Sequence, residues 1–280
     1  MRDLGHNILV HNLIERWIGR RTMIDLYDIS LPTIFLVGLA VIFAASEIGW
    51  QVGARARAEG TRNVATLESA ILGLLALMIG FTFAMALSRF DARRNAVVNE
   101  ANSIETAALR ARLLPEPHRT QALQALREYT TIRLEVINSS EPYLALKAIV
   151  DRSNALQETL WQQAMAVAQN EKTPVPTGMF IQSLNDMIND QGKHLAALRN
   201  TVPNIVILML FGVAATAGGF AGYASGLDER RKRLPVFLIG LLVWTIILLI
   251  LDLDRPIAGF VRVSQQPMID AATRIATFPE

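Results

Sequence analysis

Charged side chains gather where two long apolar segments of the chain end. The carboxylates Asp252 and Asp254 close one segment, and a run of basic residues follows the other. A carboxylate at the C-terminus of a helix opposes the helix dipole, so both aspartates need cationic partners. The predicted cluster consists of Arg89, Asp91, Arg93, Arg94, Asp252, Asp254 and Arg255. We interpret it either as a structural belt of ion pairs or as a charged vestibule that selects ions at a pore mouth.

Other chemistry is sparse. No third carboxylate or histidine lies near Asp252 and Asp254 in the sequence, so we predict no metal site. The chain has no cysteine, its 4 histidines are scattered, and it contains no phosphate-binding loop, dinucleotide fingerprint or nucleophile elbow. We therefore predict that the protein is not an enzyme and holds no cofactor. Its net charge of +2 is too small to indicate a nucleic-acid partner.

Two glutamates, Glu47 and Glu68, lie close to the ends of apolar segments. An unpaired carboxylate inside a membrane is costly, so such residues are candidates for a functional role. Both are within reach of Arg55, Arg57 or Arg62, which lie in the connection between the two glutamates. Pairing with these arginines at the membrane surface is the interpretation that we prefer.

Four uncharged stretches are long enough to cross a bilayer. They are Leu31 to Ser46, Ser69 to Ser88, Thr201 to Leu227 and Leu234 to Leu251. A hydrocarbon core of about 30 Å takes roughly 20 apolar residues as a helix. The sequence therefore predicts an integral membrane protein with four transmembrane helices and with membrane lipid as a partner.

The spans form two pairs, separated by a long polar insertion. Each pair has a short connection, so the termini and the insertion share one side of the membrane. The second span continues from Leu67 to Leu114 without proline, and the insertion has helical periodicity. We predict an all-α fold in which the insertion between the second and third spans is a helical bundle. The predicted parts are an N-terminal segment (1–30), a transmembrane hairpin (31–88), the bundle (89–200), a second hairpin (201–253) and a C-terminal tail (254–280).

Basic residues in the two hairpin connections set the expected orientation. They are Arg55, Arg57, Arg62, Arg230, Arg231, Lys232 and Arg233. The positive-inside rule places these connections in the cytoplasm, which puts the insertion and both termini in the periplasm of a bacterial inner membrane. Arginines near the span ends on the other side favour the reverse, so both orientations stay open. Met23, just ahead of the first span, is an alternative start to Met1.

Small residues recur at every fourth position in two spans. They include Gly80 and Ala84 in the second span and Gly218, Gly222 and Gly226 in the third. Such stripes let helices approach closely, either within one subunit or between subunits around an axis. If the second span surrounds that axis, Leu75, Ile79 and Phe83 would form stacked apolar rings that gate by dewetting.

Three stretches of the sequence resemble a known family when they are read together. They are GFTFAMALSRFDARRNAVVNEANSI (Gly80 to Ile104), LLPEPHR (Leu113 to Arg119) and LDLDRPIAGFVRVSQQPM (Leu251 to Met268). They resemble a bacterial membrane-protein family of unknown function that is labelled bestrophin-like. Bestrophins are pentameric chloride channels with four spans per subunit. The resemblance implies a pentamer and inorganic ions as partners.

Two hypotheses of different classes follow. The first is a homo-oligomeric ion channel whose second span lines a central pore. The second is a non-conducting membrane sensor or scaffold whose helical bundle binds a ligand or a protein. Flagellar stator subunits share the arrangement of spans, but this sequence lacks their mid-membrane carboxylate.

Overall fold

The computed structural model describes residues 29–56, 64–138, 142–169, 174–228, 233–257 and 259–279. Within these ranges the chain forms helices and no strand. The helices are α1 (Leu31–Ala56), α2 (Ala65–Ala111), α3 (His118–Asn138), α4 (Pro142–Ala168), α5 (Pro174–Arg199), α6 (Asn204–Leu227), α7 (Arg233–Asp254) and α8 (Gln266–Ala276). Four helical segments are apolar and long enough to cross a membrane, and they contain the four predicted spans. The all-α fold with four transmembrane helices is therefore confirmed.

Helix α2 runs without a break through the second span and into the insertion. It has 47 residues, which at 1.5 Å per residue makes a helix of about 70 Å. The unbroken helix confirms the predicted continuation of the second span past Ser88 and into the insertion sequence. The helix ends just before Pro115, where the chain turns towards α3.

The structure divides into two compact units, and the first consists of Met1–Phe81 and Pro203–Leu249. Within it, α1 and α6 approach so closely that side chains would not fit between them. A Cβ atom at Gly222 would overlap the Ser46 carbonyl, and one at Gly226 would overlap the Trp50 carbonyl. In lipid, where the hydrophobic effect does not drive helices together, such close backbone contact supplies the packing energy.

The second unit consists of Thr82–Val202 and Ile250–Glu280 and contains the helical bundle. Its core includes Ile104 from α2, Leu126 from α3, Leu160 from α4 and Leu184 from α5, each at most 1% exposed. Helix α8 adds three buried residues from one face, Met268, Ala271 and Ile275. The C-terminal tail is thus an amphipathic helix that completes the bundle core.

The structure does not test the predicted domain ranges. Those ranges divide the chain by where it crosses the membrane, whereas the two compact units divide it by contacts between residues. The expectations for the N-terminal segment 1–30 and for a start at Met23 fall almost entirely outside the described residues. The same holds for Arg57, Arg62 and residues 230–232 of the hairpin connections.

Candidate functional site

The transmembrane half of α2 carries an exposed apolar stripe. Leu74, Leu77 and Phe81 are 51%, 56% and 66% exposed in the single subunit. Ala84 and Ser88 continue the stripe at three-and-four spacing, and both are exposed. Because these side chains stay largely outside the packing of their own subunit, they are available to lipid or to a neighbouring copy.

The residues predicted to line a pore lie on another face of α2. Leu75 is only 3% exposed, and Ile79 and Phe83 are half-buried. A side chain that lines an axis between subunits must be exposed in each isolated subunit. The burial of Leu75 therefore disfavours a position at an axis, whereas Leu77 and Phe81 meet the requirement.

The two predicted stripes of small residues have different surroundings. Gly218, Gly222 and Gly226 of α6 face α1 within the subunit, where Gly218 lies near the Ser46 side chain. By contrast, a Cβ atom at Gly80 would meet no atom within 4 Å, and Ala84 is exposed. The third-span stripe thus packs inside one subunit, and the second-span stripe remains on the surface.

Three members of the predicted charged cluster come together in a buried node. Arg93, Asp252 and Asp254 are 1%, 4% and 0% exposed. The Arg93 guanidinium donates to the main-chain carbonyl of Asp254 at 3.1 Å and to that of Leu253 at 2.5 Å. An arginine at these carbonyls satisfies the C-terminus of α7 and offsets its dipole. These bonds go to the main chain, so the predicted pairing of Arg93 with the carboxylates of Asp252 and Asp254 stays a prediction.

The two aspartates of this node hold main-chain segments in place. The Asp254 carboxylate accepts a hydrogen bond from the Val202 N–H at 2.7 Å. The Asp252 carboxylate accepts two, from the N–H groups of Phe260 at 2.8 Å and Val261 at 2.9 Å. These contacts make Arg93, Asp252 and Asp254 a structural junction between the ends of α2 and α7, the start of the third span and the C-terminal segment.

Of the other members of the predicted cluster, Arg255 directly follows Asp254 and donates its main-chain N–H to the Asp252 carbonyl at 3.2 Å. Asp91 and Arg94 are exposed on α2, and Arg255 is half-buried. Arg89 donates through Nε to the Asn200 side chain at 3.2 Å. The predicted cluster therefore has a buried part, the node, and an exposed part, Asp91 and Arg94, while Arg89 and Arg255 are half-buried.

A polar face continues along α2 beyond the membrane-spanning half. Asp91, Asn95, Asn99 and Asn102 are all exposed. Asn99 and Asn102 also line a cavity of about 290 Å³ that includes Asp190 of α5. The helix thus presents exposed apolar side chains along the second span and exposed amides and a carboxylate after it.

The bundle core contains a buried polar network that the sequence analysis missed. Arg133 lies 2.7 Å from one oxygen of Glu100, and His194 Nδ1 lies 2.6 Å from the other. Because an ionised carboxylate only accepts hydrogen bonds, this contact places the hydrogen on Nδ1 of His194, which donates the hydrogen bond. Gln157 extends the network by donating to the side-chain oxygen of Gln191 and to the Tyr129 hydroxyl. The only sequence signal was a glutamate on the apolar face of α2.

Charge pairing keeps Glu100 ionised in this core. Burial alone would raise the pKa of its carboxyl, but Arg133 and His194 outweigh that effect and lower the pKa to about 2. Burial acts to lower the pKa of Arg133, and the nearby Glu100 reverses this and raises it. The two charges therefore coexist inside the bundle, where an isolated charge would be costly.

At the hairpin-loop end of the first unit, Glu47 is paired with an unexpected partner. Arg233 donates to both Glu47 oxygens at 3.2 Å, and its guanidinium stacks over the Trp50 ring at 3.5 Å. This partner comes from the second hairpin rather than from the connection that holds Arg55. The contact indicates an anchor at the membrane surface. Within the described residues, no group of three or more metal-binding side chains is present.

These features define an integral membrane protein with four helices long and apolar enough to span a membrane and with a helical bundle. The family described as Bestrophin-like domain matches residues 34–268, and the chain belongs to this family. The predicted family resemblance is thus confirmed. A search of curated proteins found no match.

Solved structures with the same fold come from a bacterial Bestrophin homolog of Klebsiella pneumoniae. A point variant of that protein is 15% identical, with a TM-score of 0.68 over 86% of this chain and 97% of that chain. A second structure of the homolog is 14% identical, with a TM-score of 0.65 over 89% of this chain and 100% of that chain. At this level of identity the similarity shows the fold.

Proposed function

We propose that the protein is a homo-oligomeric ion channel in which α2 surrounds a central axis. One observation carries the proposal. The exposed face of α2 is apolar at Leu77 and Phe81 in the membrane and polar at Asn95, Asn99 and Asn102 beyond it. An apolar constriction that opens into a hydrated vestibule is an arrangement that gates by dewetting.

The surface stripe of small residues supports an assembly of several copies. In the described part of the chain, a Cβ atom at Gly80 would meet nothing within 4 Å, and Ala84 is exposed. Around an axis they would let neighbouring copies of α2 approach closely. A pentamer is proposed by analogy with bestrophins, with inorganic ions as the transported solutes. Asp91 and Arg94 are the charged groups that would meet an ion outside the constriction.

Substitutions on the two faces of α2 test the channel directly. In liposomes containing purified protein, F81A and L77A are expected to change ion flux several-fold, because they widen the apolar constriction. I79A and F83A, from the predicted set Leu75, Ile79 and Phe83, are the matched comparison on the half-buried face. A flux that responds to I79A and F83A but not to F81A would reassign the pore face. A flux equal to that of empty liposomes would refute the channel.

An exposed apolar patch on the bundle favours the second candidate, a non-conducting sensor or scaffold. Leu109 of α2, Leu113 in the turn after it, and Val175 and Met179 of α5 are 44%, 52%, 71% and 43% exposed. Arg110 joins these helices by donating to the Met179 carbonyl at 2.8 Å. Exposed apolar patches outside a membrane mark protein contacts. An intact oligomer that carries no flux, with a partner lost on Leu113→Glu, would favour this candidate.

A further inference from the structure

An apolar groove runs along the first span, within the first unit. It encloses a cavity of about 220 Å³. Its lining comes mainly from one face of α1, including Thr33, Ile34, Val37 and Val41, and is closed by Phe211 and Trp244. The Phe211 and Trp244 rings pack against each other with centroids 5.0 Å apart. The back wall is therefore built from α6 and α7.

The back wall presents only carbon atoms to the groove. Gly38 leaves room for the Trp244 ring, which a Cβ atom at this position would overlap. The Trp244 indole N–H is already donated to the Phe35 carbonyl at 2.9 Å. Val37 and Val41 form the outer rim and are 59% and 52% exposed. The groove is thus apolar inside and open to the side, where the bilayer lies.

The length of the groove matches one leaflet of a bilayer. Its lining on α1 extends from Thr33 to Ile42, which corresponds to about 14 Å at 1.5 Å per residue. Half of a hydrocarbon core is about 15 Å. The groove starts where the first span enters the membrane and runs inwards along α1. Its depth and direction are those of a lipid acyl chain.

The mouth of the groove suits a lipid head group. Ser30 caps α1, since its Oγ accepts from the Thr33 N–H at 3.3 Å and lies 2.7 Å from the Thr33 hydroxyl. The first turn of this 26-residue helix contains no acidic residue. The positive end of the helix dipole and two hydroxyls therefore lie at the end of the groove where Thr33 lines it, and this end of the helix favours an anionic group.

We propose that this groove is a lipid-binding site that holds one acyl chain of a phospholipid, with its head group beside Ser30 and Thr33. The site is independent of ion conduction. A transmembrane helix of a second copy is the competing occupant, and its presence would contradict the proposal.

Photolabelling of the full chain in nanodiscs tests the acyl-chain site. The probe is phosphatidylglycerol with a diazirine in the middle of one acyl chain, and labelled residues are mapped by mass spectrometry. We expect labelling of Val37 to exceed that of Leu36 at least threefold. Leu36 is the matched control, because it has the same depth and is 65% exposed but lies off the groove. Equal labelling would overturn the proposal, since ordinary lipid contact explains it.

A tryptophan placed in the groove tests whether the excess labelling comes from an acyl chain bound there. V37W is expected to abolish the excess label, measured at Val41, and L36W is expected to preserve it. Both variants are checked for an unchanged elution volume, so that misfolding is not mistaken for loss of the site. Persistent enrichment in V37W would contradict the proposal. A disulfide cross-link between two copies of a V37C variant would contradict it as well. Unlabelled phosphatidylglycerol should compete better than diacylglycerol, and equal competition would overturn the head-group assignment.

Discussion

At the scale of single residues, the most consequential side chain is Glu100, which is fully buried in the bundle. It accepts from Arg133 and His194 and ties α2 to α3 and α5. A buried pair of this kind adds little net stability compared with apolar packing, but removing one partner leaves an uncompensated charge. The network therefore matters most for the position of α2, the helix that continues into the membrane.

Glu100→Gln should destabilise the bundle by about 3–5 kcal/mol, because Arg133 would remain buried without its counter-charge. Thermal unfolding of the purified protein, followed by intrinsic fluorescence, measures the change. Glu105→Gln is the control: Glu105 pairs with Arg274, whose side chain is 61% exposed, so the loss should stay below about 1 kcal/mol. Equal losses of stability for the two variants would show that burial of the Glu100–Arg133 pair adds no extra cost when Glu100 is neutralised.

The stability contributed by Glu100 should depend on acid pH. Its folded-state pKa is about 2, below the ordinary value of 4.5, so the native protein binds this proton less readily than the unfolded chain. The contribution is complete above about pH 4.5 and disappears as the pH falls towards 2. The difference in unfolding free energy between wild type and E100Q should shrink across that interval. A difference that stays constant from pH 6 to pH 3 would contradict the low pKa.

At the scale of helices, local sequence predicted much of the architecture. The uncharged stretches marked the spans, and the absence of proline between Leu67 and Leu114 predicted the continuous α2. These features depend on hydropathy and backbone geometry, which are properties of neighbouring residues. The helical nature of the C-terminal tail was not predicted, because α8 becomes stable by packing onto the bundle core.

The two stripes of small residues are expected to respond differently when a glycine is replaced by a larger residue. Gly222→Ala should destabilise the subunit by roughly 1–3 kcal/mol, since the added methyl would overlap the Ser46 carbonyl. Gly80→Leu should leave the subunit folded, because no atom lies within 4 Å of its Cβ position, and should reduce the oligomer mass in detergent. Circular dichroism reports the first effect and light scattering the second. An oligomer that tolerates Gly80→Leu would place the Gly80 face towards lipid.

At the scale of the whole molecule, the arrangement of the four spans in two pairs predicts that the termini and the insertion share one side of the membrane. We expect the insertion side to be periplasmic, because basic residues crowd the hairpin connections. Alkaline phosphatase fused after Glu280 should then be active, while a fusion after Arg55 should be inactive. The reverse pair of activities would place the bundle in the cytoplasm.

The sequence by itself determined the membrane class, the four spans, the continuous second helix and the family. It also identified the charged residues at the span ends, but not their roles. Only the tertiary structure decided that Arg93, Asp252 and Asp254 form a buried junction, that Glu100 belongs to a charged core, and that Leu77 and Phe81 rather than Leu75 are exposed on α2. The physical reason is that hydropathy depends on residues adjacent in the sequence, whereas burial and charge pairing depend on side chains brought together from distant parts of the chain.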